Sequence, residues 1–354
     1  MALVGLGRVA ERIHIPAIAA TRGLRLVGGS ETDSAQARRV QERFGVPVIC
    51  EDTGELLRST APDLVIVGTP PDVHHAHVAA ALDAGAHVLC EKPFVTTLEE
   101  ADDLVARAER AGRLLAVNNQ YRFMSIYRET MRRISSGELG PLYQAQVWQQ
   151  MFHPPSRETN WRAGLVRSTL YEFGTHALDL LTFLFDALPV AVTARIPRVP
   201  HGVPSDVLVV MLLEFPGDRV ATLNLHRVSR APERYLEMRL DTQEASLRLS
   251  LGGVARLSLD YAKALGRPAL RASLAKGGEV RLEREGRSRV LVRSPRPEFA
   301  TATADHLAHL VERLGRGDVS SSAARHARQV LRVVFAGYRS AETGRTERLD
   351  EPEE

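Results

Sequence analysis

The chain has 354 residues, 44% of them apolar and 25% charged, with a formal net charge of +3. That length calls for two domains, and so weak a charge, with no basic stripe interleaved with aromatics, argues against a nucleic-acid partner. No leader peptide and no bilayer-spanning apolar stretch is read, and the two cysteines, Cys50 and Cys90, suit reduced structural thiols in the cytoplasm.

The opening run Ala2-Leu3-Val4 reads as a strand so short that the true start is expected a few residues upstream. It leads into Gly5-Leu6-Gly7-Arg8-Val9-Ala10, a G-x-G-x-x-A pattern. The first glycine allows a tight turn, the second lets backbone approach a pyrophosphate, and Ala10 permits close packing of helix on strand. The phosphates would rest on amides at the helix amino end. Leu24–Gly29 reads as the second strand, followed by a turn carrying Glu31. A carboxylate there accepts hydrogen bonds from ribose hydroxyls and repels a 2′-phosphate, which argues for NAD over NADP. Asp33 is expected to N-cap a helix over Ala35–Phe44.

Asp63–Gly68 reads as another strand, and the Thr69-Pro70-Pro71 turn after it lies where a cofactor would sit. His74, His75 and His77 suggest a metal at first sight, but no nearby ligand completes a set, so a solvated helix start over His75–Ala84 is expected and no metal is assigned. Ala86–Cys90 reads as a buried strand that delivers Glu91-Lys92-Pro93 to its carboxyl end. Only three of the 46 basic residues are lysines, Lys92, Lys263 and Lys276, so a lysine retained at a strand end invites a functional reason. A helix over Leu98–Ala111 and a strand over Leu114–Val117 complete an alternating pattern that implies a parallel, doubly wound sheet.

Beyond Tyr121-Arg122-Phe123 the pattern changes. A helix over Ser125–Ser135 precedes strands at Tyr143–Gln150, Ala191–Arg195, Val207–Phe215, Val220–Val228, Leu236–Asp241, Ala245–Leu251 and Arg289–Val292. Long alternating strands with few helices imply a large, mostly antiparallel open sheet in an α+β domain, whose spare face would favour a homodimer or homotetramer. Arg281, Arg284, Arg287 and Arg289 read as the wet face of such strands. In Tyr171–Asp179, a helix would set Glu172, His176 and Asp179 along one stripe of a buried element. His176 is the natural proton acceptor near neutral pH, with Glu172 able to fix its tautomer or share its proton; a satisfied core network is the alternative.

Together these residues resemble the Gfo/Idh/MocA oxidoreductase family over nearly the whole chain. The resemblance is carried by Gly5–Ala10, His14-Ile15-Pro16-Ala17-Ile18, Thr69–His74, Glu91-Lys92-Pro93, Gln120-Tyr121-Arg122-Phe123 and Gly137–Leu142. Trp161-Arg162, Gly174–Leu181 and Tyr338–Gly344 extend it to the carboxyl end. It implies a Rossmann domain over 1–120 and a substrate and dimerisation domain over 121–354, with the helix of about 322–343 packing back toward the first. It also implies a cofactor bound by Gly5, Gly7, Arg8, Val9, Glu31, Thr69, Pro70, Pro71, His74, Glu91, Lys92 and Gln120.

The same resemblance makes Lys92 and His176 catalytic and gives Glu172 the place where active members often carry an aspartate. The family's glycine-rich stretch before that acid is replaced here by Val166–Leu170, and Tyr171 is a candidate substitute acid. Arg122, Trp161 and Arg162 are expected to face a small-molecule substrate, or else to form inter-domain ion pairs. The implied reaction is NAD-dependent hydride transfer at a secondary alcohol or carbonyl of a sugar, polyol or related hydroxy compound. A glycosidase or lyase using transient oxidation, or a non-catalytic NAD- or sugar-sensing protein, are the alternatives.

Overall fold

The computed structural model describes the chain apart from residues 160, 200–202, 204, 232, 253, 263–266, 276, 295 and 351–354, and gives the backbone alone for 254–262 and 267–275. Lys263 and Lys276 lie outside the described residues. The chain divides into two compact units, Met1–Phe123 with Phe299–Val334, and Met124–Glu298 with Phe335–Glu354. Among the described residues no helix is long and apolar enough to cross a membrane.

In the first unit, six strands form a sheet of order β3-β2-β1-β4-β5-β6. They are β1 (Ala2–Val4), β2 (Gly28–Ser30), β3 (Ile49–Cys50), β4 (Leu64–Val67), β5 (His87–Cys90) and β6 (Leu115–Val117). All neighbours pair in parallel, as the alternating pattern implied. The order reverses between β1 and β4, and ligands of such sheets bind beyond the carboxyl ends at that switch point. The Leu98–Ala111 helix has the expected bounds, set by a Thr97/Glu100 capping box and by Gly112 at φ 60°.

One local expectation needs correction, and two regions carry elements that the residue pattern did not reveal. The second strand spans Gly28–Ser30 rather than Leu24–Gly29, because Leu24 and Leu26 pack against the hydrophobic core instead of pairing. Close approach explains the glycines: a Cβ on Gly29 would stand 2.7 Å from Leu6 Cδ2. The pair of β3 and the Thr53–Thr60 helix was not foreseen, since a two-residue strand carries no period to read. The Phe299–Gly315 helix was also missed. Its Leu307 and Leu310 join Leu3, Ile15, Ile66 and Leu114 in one core, contacts across 193 to 307 residues of sequence that local pattern does not encode.

In the second unit, nine described strands form a sheet of order β16-β15-β12-β11-β7-β10-β9-β8-β17. These are β7 (Leu142–Gln150), β8 (Ala191–Arg195), β9 (Leu208–Phe215), β10 (Arg219–His226), β11 (Arg234–Thr242) and β12 (Ser246–Leu251). A separate two-stranded hairpin of β13 (Val254–Ala262) and β14 (Arg267–Ala275) follows. The set closes with β15 (Gly278–Arg284), β16 (Arg287–Ser294) and β17 (Glu347–Arg348). Pairing is antiparallel except between β7 and β10. The period of two is plain in β9: Val209, Met211, Leu213 and Phe215 are buried, while Val210 and Leu212 are 43% and 41% exposed. The Thr175–Phe185 helix is buried almost all round, as its composition implied.

Candidate active site

The glycine loop follows β1 directly. Gly5 has φ 86°, and a Cβ there would lie 3.0 Å from the Gly68 backbone, so only glycine fits. A Cβ on Gly7 would meet nothing within 4 Å, so no protein atom demands glycine there; that open face is what a pyrophosphate approaching the backbone would need. Arg8 is exposed and Val9 half-buried on the way into a π-helical turn, Ala10–His14. The Glu31 carboxylate folds over the loop, accepting from Leu6 N at 2.9 Å and from Asp33 N at 3.1 Å. Asp33 caps the next helix as expected, accepting from Ala35 N and Gln36 N.

The carboxyl ends of β4 and β5 are joined by one imidazole. His74 is fully buried, which corrects the expectation of a solvated helix start. Its Nε2 lies 2.8 Å from Thr69 O, and its Nδ1 lies 2.9 Å from Phe94 O and 3.1 Å from Pro93 O. Burial lowers its pKa, with those carbonyls and Glu91 pulling the other way. The ring thereby ties the Thr69-Pro70-Pro71 turn to the segment after Lys92. His75 and His77 turn to different partners, Asp103 at 2.8 Å and Thr53 Oγ1 at 3.1 Å.

Glu91 is the buried anchor beneath Lys92. Its Oε2 accepts from Lys92 N at 3.1 Å and its Oε1 from Asn118 Nδ2 at 2.7 Å, while His14 Nε2 stands 3.0 Å away. Burial works against its charge, but His14, Asn118 and the Lys92 ammonium overcome that and hold the carboxyl at about 2. The Lys92–Pro93 bond is cis. Nearby in sequence, Gln120 is 4% exposed with its Oε1 unpartnered, and the Thr69 Oγ1 is likewise buried without a partner. Two orphaned polar atoms at positions expected to touch a cofactor are what a site awaiting a polar ligand would show, so the residues fit a dinucleotide. Arg122 sits in the same unit, its Nη2 against His326 Nε2.

In the second unit the segment carrying Glu172 begins as a π-helix, Thr169–Gly174, and continues as the α-helix Thr175–Phe185. The wider first turn replaces the single α-helical stripe expected for Glu172, His176 and Asp179. Glu172 and Asp179 are buried at 3% and 2% exposure, and His176 is half-buried. Arg162, on a short 3₁₀ turn, donates from Nε to Glu172 Oε1 at 2.6 Å and stacks over Trp161, 4.3 Å from the ring centroid. Tyr171 is buried, stacked on Phe335 at 6.5 Å, and its backbone N–H donates to Tyr338 Oη at 3.2 Å.

Sequence reading overlooked three residues of this machinery. Asp206 is 1% exposed and holds the amino end of the π-helix: Oδ1 accepts from Ser168 N at 2.5 Å and Thr169 N at 2.8 Å. Its Oδ2 accepts from Leu170 N at 3.0 Å and Tyr338 Oη at 2.8 Å. No local signal marks it, since its partners are more than 30 residues away in either direction. His14 was read only as part of a motif and Asn118 not at all, although a histidine opening an apolar stretch and an asparagine just beyond a strand were available signals.

Comparison with known proteins agrees with the fold. A family described as "Oxidoreductase family, NAD-binding Rossmann fold" matches residues 1–119, and the "GFO/IDH/MocA C-terminal domain" matches residues 127–248. The chain is similar to the scyllo-inositol 2-dehydrogenase (NADP(+)) of Bacillus subtilis, 32% identical over 47% of each chain. It is also similar to the D-apiose dehydrogenase of Paraburkholderia graminis, 26% identical over 98% of this chain and 89% of that one. A solved oxidoreductase from Agrobacterium radiobacter, in complex with NAD+, L-tartaric acid and magnesium, shares the fold. It has a TM-score of 0.79 and 19% identity over 98% of this chain and 97% of the other. Several relatives are matched over only 41–67% of their own length.

Proposed function

Because the chain belongs to the Gfo/Idh/MocA oxidoreductase family, we propose that it transfers a hydride between NAD and a secondary alcohol or carbonyl of a sugar, polyol or related hydroxy compound. The observation that carries this reading is the end of β5. There a buried, ionised Glu91 fixes the backbone of Lys92, and in the same unit Thr69 and Gln120 each carry a buried polar atom without a partner. The inositol and apiose dehydrogenases among the relatives support the substrate class.

NAD, when bound, supplies the hydride acceptor. Gly5, Gly7, Arg8, Val9, Glu31, Thr69–Pro71, His74, Glu91, Lys92 and Gln120 are the residues that would hold it, and Glu31 is the basis for preferring NAD to NADP. Lys92 donates to the substrate oxygen and stabilises negative charge developing on it. His176 accepts the hydroxyl proton, and Glu172, steadied by Arg162, orients that exchange. Trp161 and Arg162 line the substrate, with Tyr171 further in beside Glu172. The protein acts in the cytoplasm, where Cys50 and Cys90, both buried thiols, stay reduced. It assembles as a homodimer or homotetramer through the open face that exposes Val210 and Leu212.

The test is a spectrophotometric screen of purified protein against sugars and polyols, following NADH formation with NADP as the comparison. Substrate-dependent NADH is expected, faster than NADPH. Substrate consumption without net NADH would replace this reading with transient oxidation, and failure to bind either cofactor would end it.

A further inference from the structure

Beside the edge strand β6, the first unit encloses a cavity of about 310 Å³, within the range of small-molecule pockets. Its floor is apolar, formed by Val117 and Leu310. Arg122, Arg313, His306, His309 and His326 line it together with Asn119 and Phe123, and no carboxylate among the described residues does. Such a lining selects for an anion.

The basic groups are fixed in distinct ways. Arg313 is held by Asp318, Nε to Oδ2 at 2.7 Å and Nη2 to Oδ1 at 3.1 Å, so its charge is partly offset. Arg122 contacts His326 Nε2; a guanidinium has only donors, so that nitrogen is the acceptor. His306 donates from Nδ1 to Asn118 Oδ1 at 3.2 Å, and Asn118 in turn donates to Glu91. Among the described residues no group of His, Cys, Asp and Glu is placed to hold a metal ion, so the imidazoles do not form a metal site.

A second feature points the same way. Ser322 and Ala323, in the first turn of the 22-residue Ser322–Thr343 helix, also line the cavity. Helix amino ends carry N–H donors and positive partial charge, and favour phosphate; here Ser322 N already donates to Ser320 Oγ at 3.2 Å, so the amides after it are the ones offered. The N-cap is Ser321, whose carbonyl accepts from Arg325 N at 2.9 Å. Its hydroxyl is buried at 1% exposure and makes no hydrogen bond, where an N-cap side chain ordinarily satisfies an amide of the first turn.

We propose that this cavity is a binding site for a phosphate-bearing small molecule, its phosphate received by Arg122 and the amino end of the Ser322–Thr343 helix, with His309 and His326 completing the shell. The His306–Asn118–Glu91 hydrogen bonds place the occupant two side chains from the anchor of Lys92. The site stands independently of the hydride-transfer reading.

Inorganic phosphate is the probe, titrated by calorimetry into the full chain at constant ionic strength, with and without saturating NAD to occupy the glycine loop. One saturable site that persists with NAD is expected, weakened at least about tenfold in a His309→Gln/His326→Gln double variant. Both histidines reach the surface in part, so the variant should fold; its melting temperature without phosphate checks this. As a second measurement, ring-proton NMR signals of His309 and His326, assigned through the single variants, should move with phosphate in the unaltered protein. Heat that vanishes with NAD, heat unchanged in the double variant, or unmoved histidine signals would each overturn the proposal.

Discussion

Arg162 and Glu172 form an ion pair inside the second unit, Nε to Oε1 at 2.6 Å, with the carboxylate side chain only 4% exposed. The arginine expected either to face substrate or to bridge domains supports, within its own unit, the acid that precedes His176. Removing it strands a buried charge. Arg162→Ala should therefore cost about 1–3 kcal/mol of stability by urea unfolding and lower turnover as well. If Arg162→Ala matched the parent in both measurements, the supporting role would be wrong.

Lys92 and His176 carry the proposed chemistry. Lys92→Ala and His176→Ala should each reduce kcat at least about 10²-fold, and in His176→Ala the NAD affinity, read by fluorescence titration, should stay near normal. Full activity in both variants on the true substrate would refute the assignment.

Asp206 gathers three backbone N–H groups and the Tyr338 hydroxyl on one buried carboxylate. Burial, followed by the charge of Asp206 itself, raises the Tyr338 pKa, so the phenol remains a donor. Tyr338→Phe should cost about 1 kcal/mol, whereas Asp206→Ala should cost several times more by leaving buried amides unpaired. The milder Asp206→Asn should lower kcat with little change in cofactor affinity. Equal losses of kcat and NAD binding would show a general structural role instead of positioning of the Glu172–His176 segment.

Glu91 links pH to stability. Its carboxyl in the folded chain sits at about 2, below the ordinary 4.5, so the folded state binds fewer protons there than the unfolded chain does. The resulting stabilisation, on the order of 3 kcal/mol, is present above pH 4.5 and is lost as pH falls toward 2. Unfolding of Glu91→Gln should accordingly be less pH-dependent than that of the parent across this window. Parallel pH profiles for the two proteins would contradict it.

The exposed face of β9 gives the oligomer proposal a direct check. Leu212→Glu places a charge on that face without touching the buried side of the strand. Light scattering should show a smaller assembly for the variant, with catalytic residues untouched. An unchanged mass would move the interface elsewhere.

What could be read from the residues was whatever repeats at short range. The G-x-G-x-x-A loop, the apolar strands before Thr69 and Lys92, the capped Leu98–Ala111 helix and the alternation of β9 all follow from local sterics, caps and periods of 2 or 3.6. Glu31, Lys92, Glu172 and His176 could be singled out because each stands at a position such patterns make special. Partnership was decided only by tertiary structure. Asp206 reaches the π-helix from more than 30 residues away, Asn118 joins Glu91 across 27 residues and His306 across 188, and His74 is buried where its polarity suggested solvent. Those contacts depend on which distant groups desolvate each other, and no one-dimensional period records that.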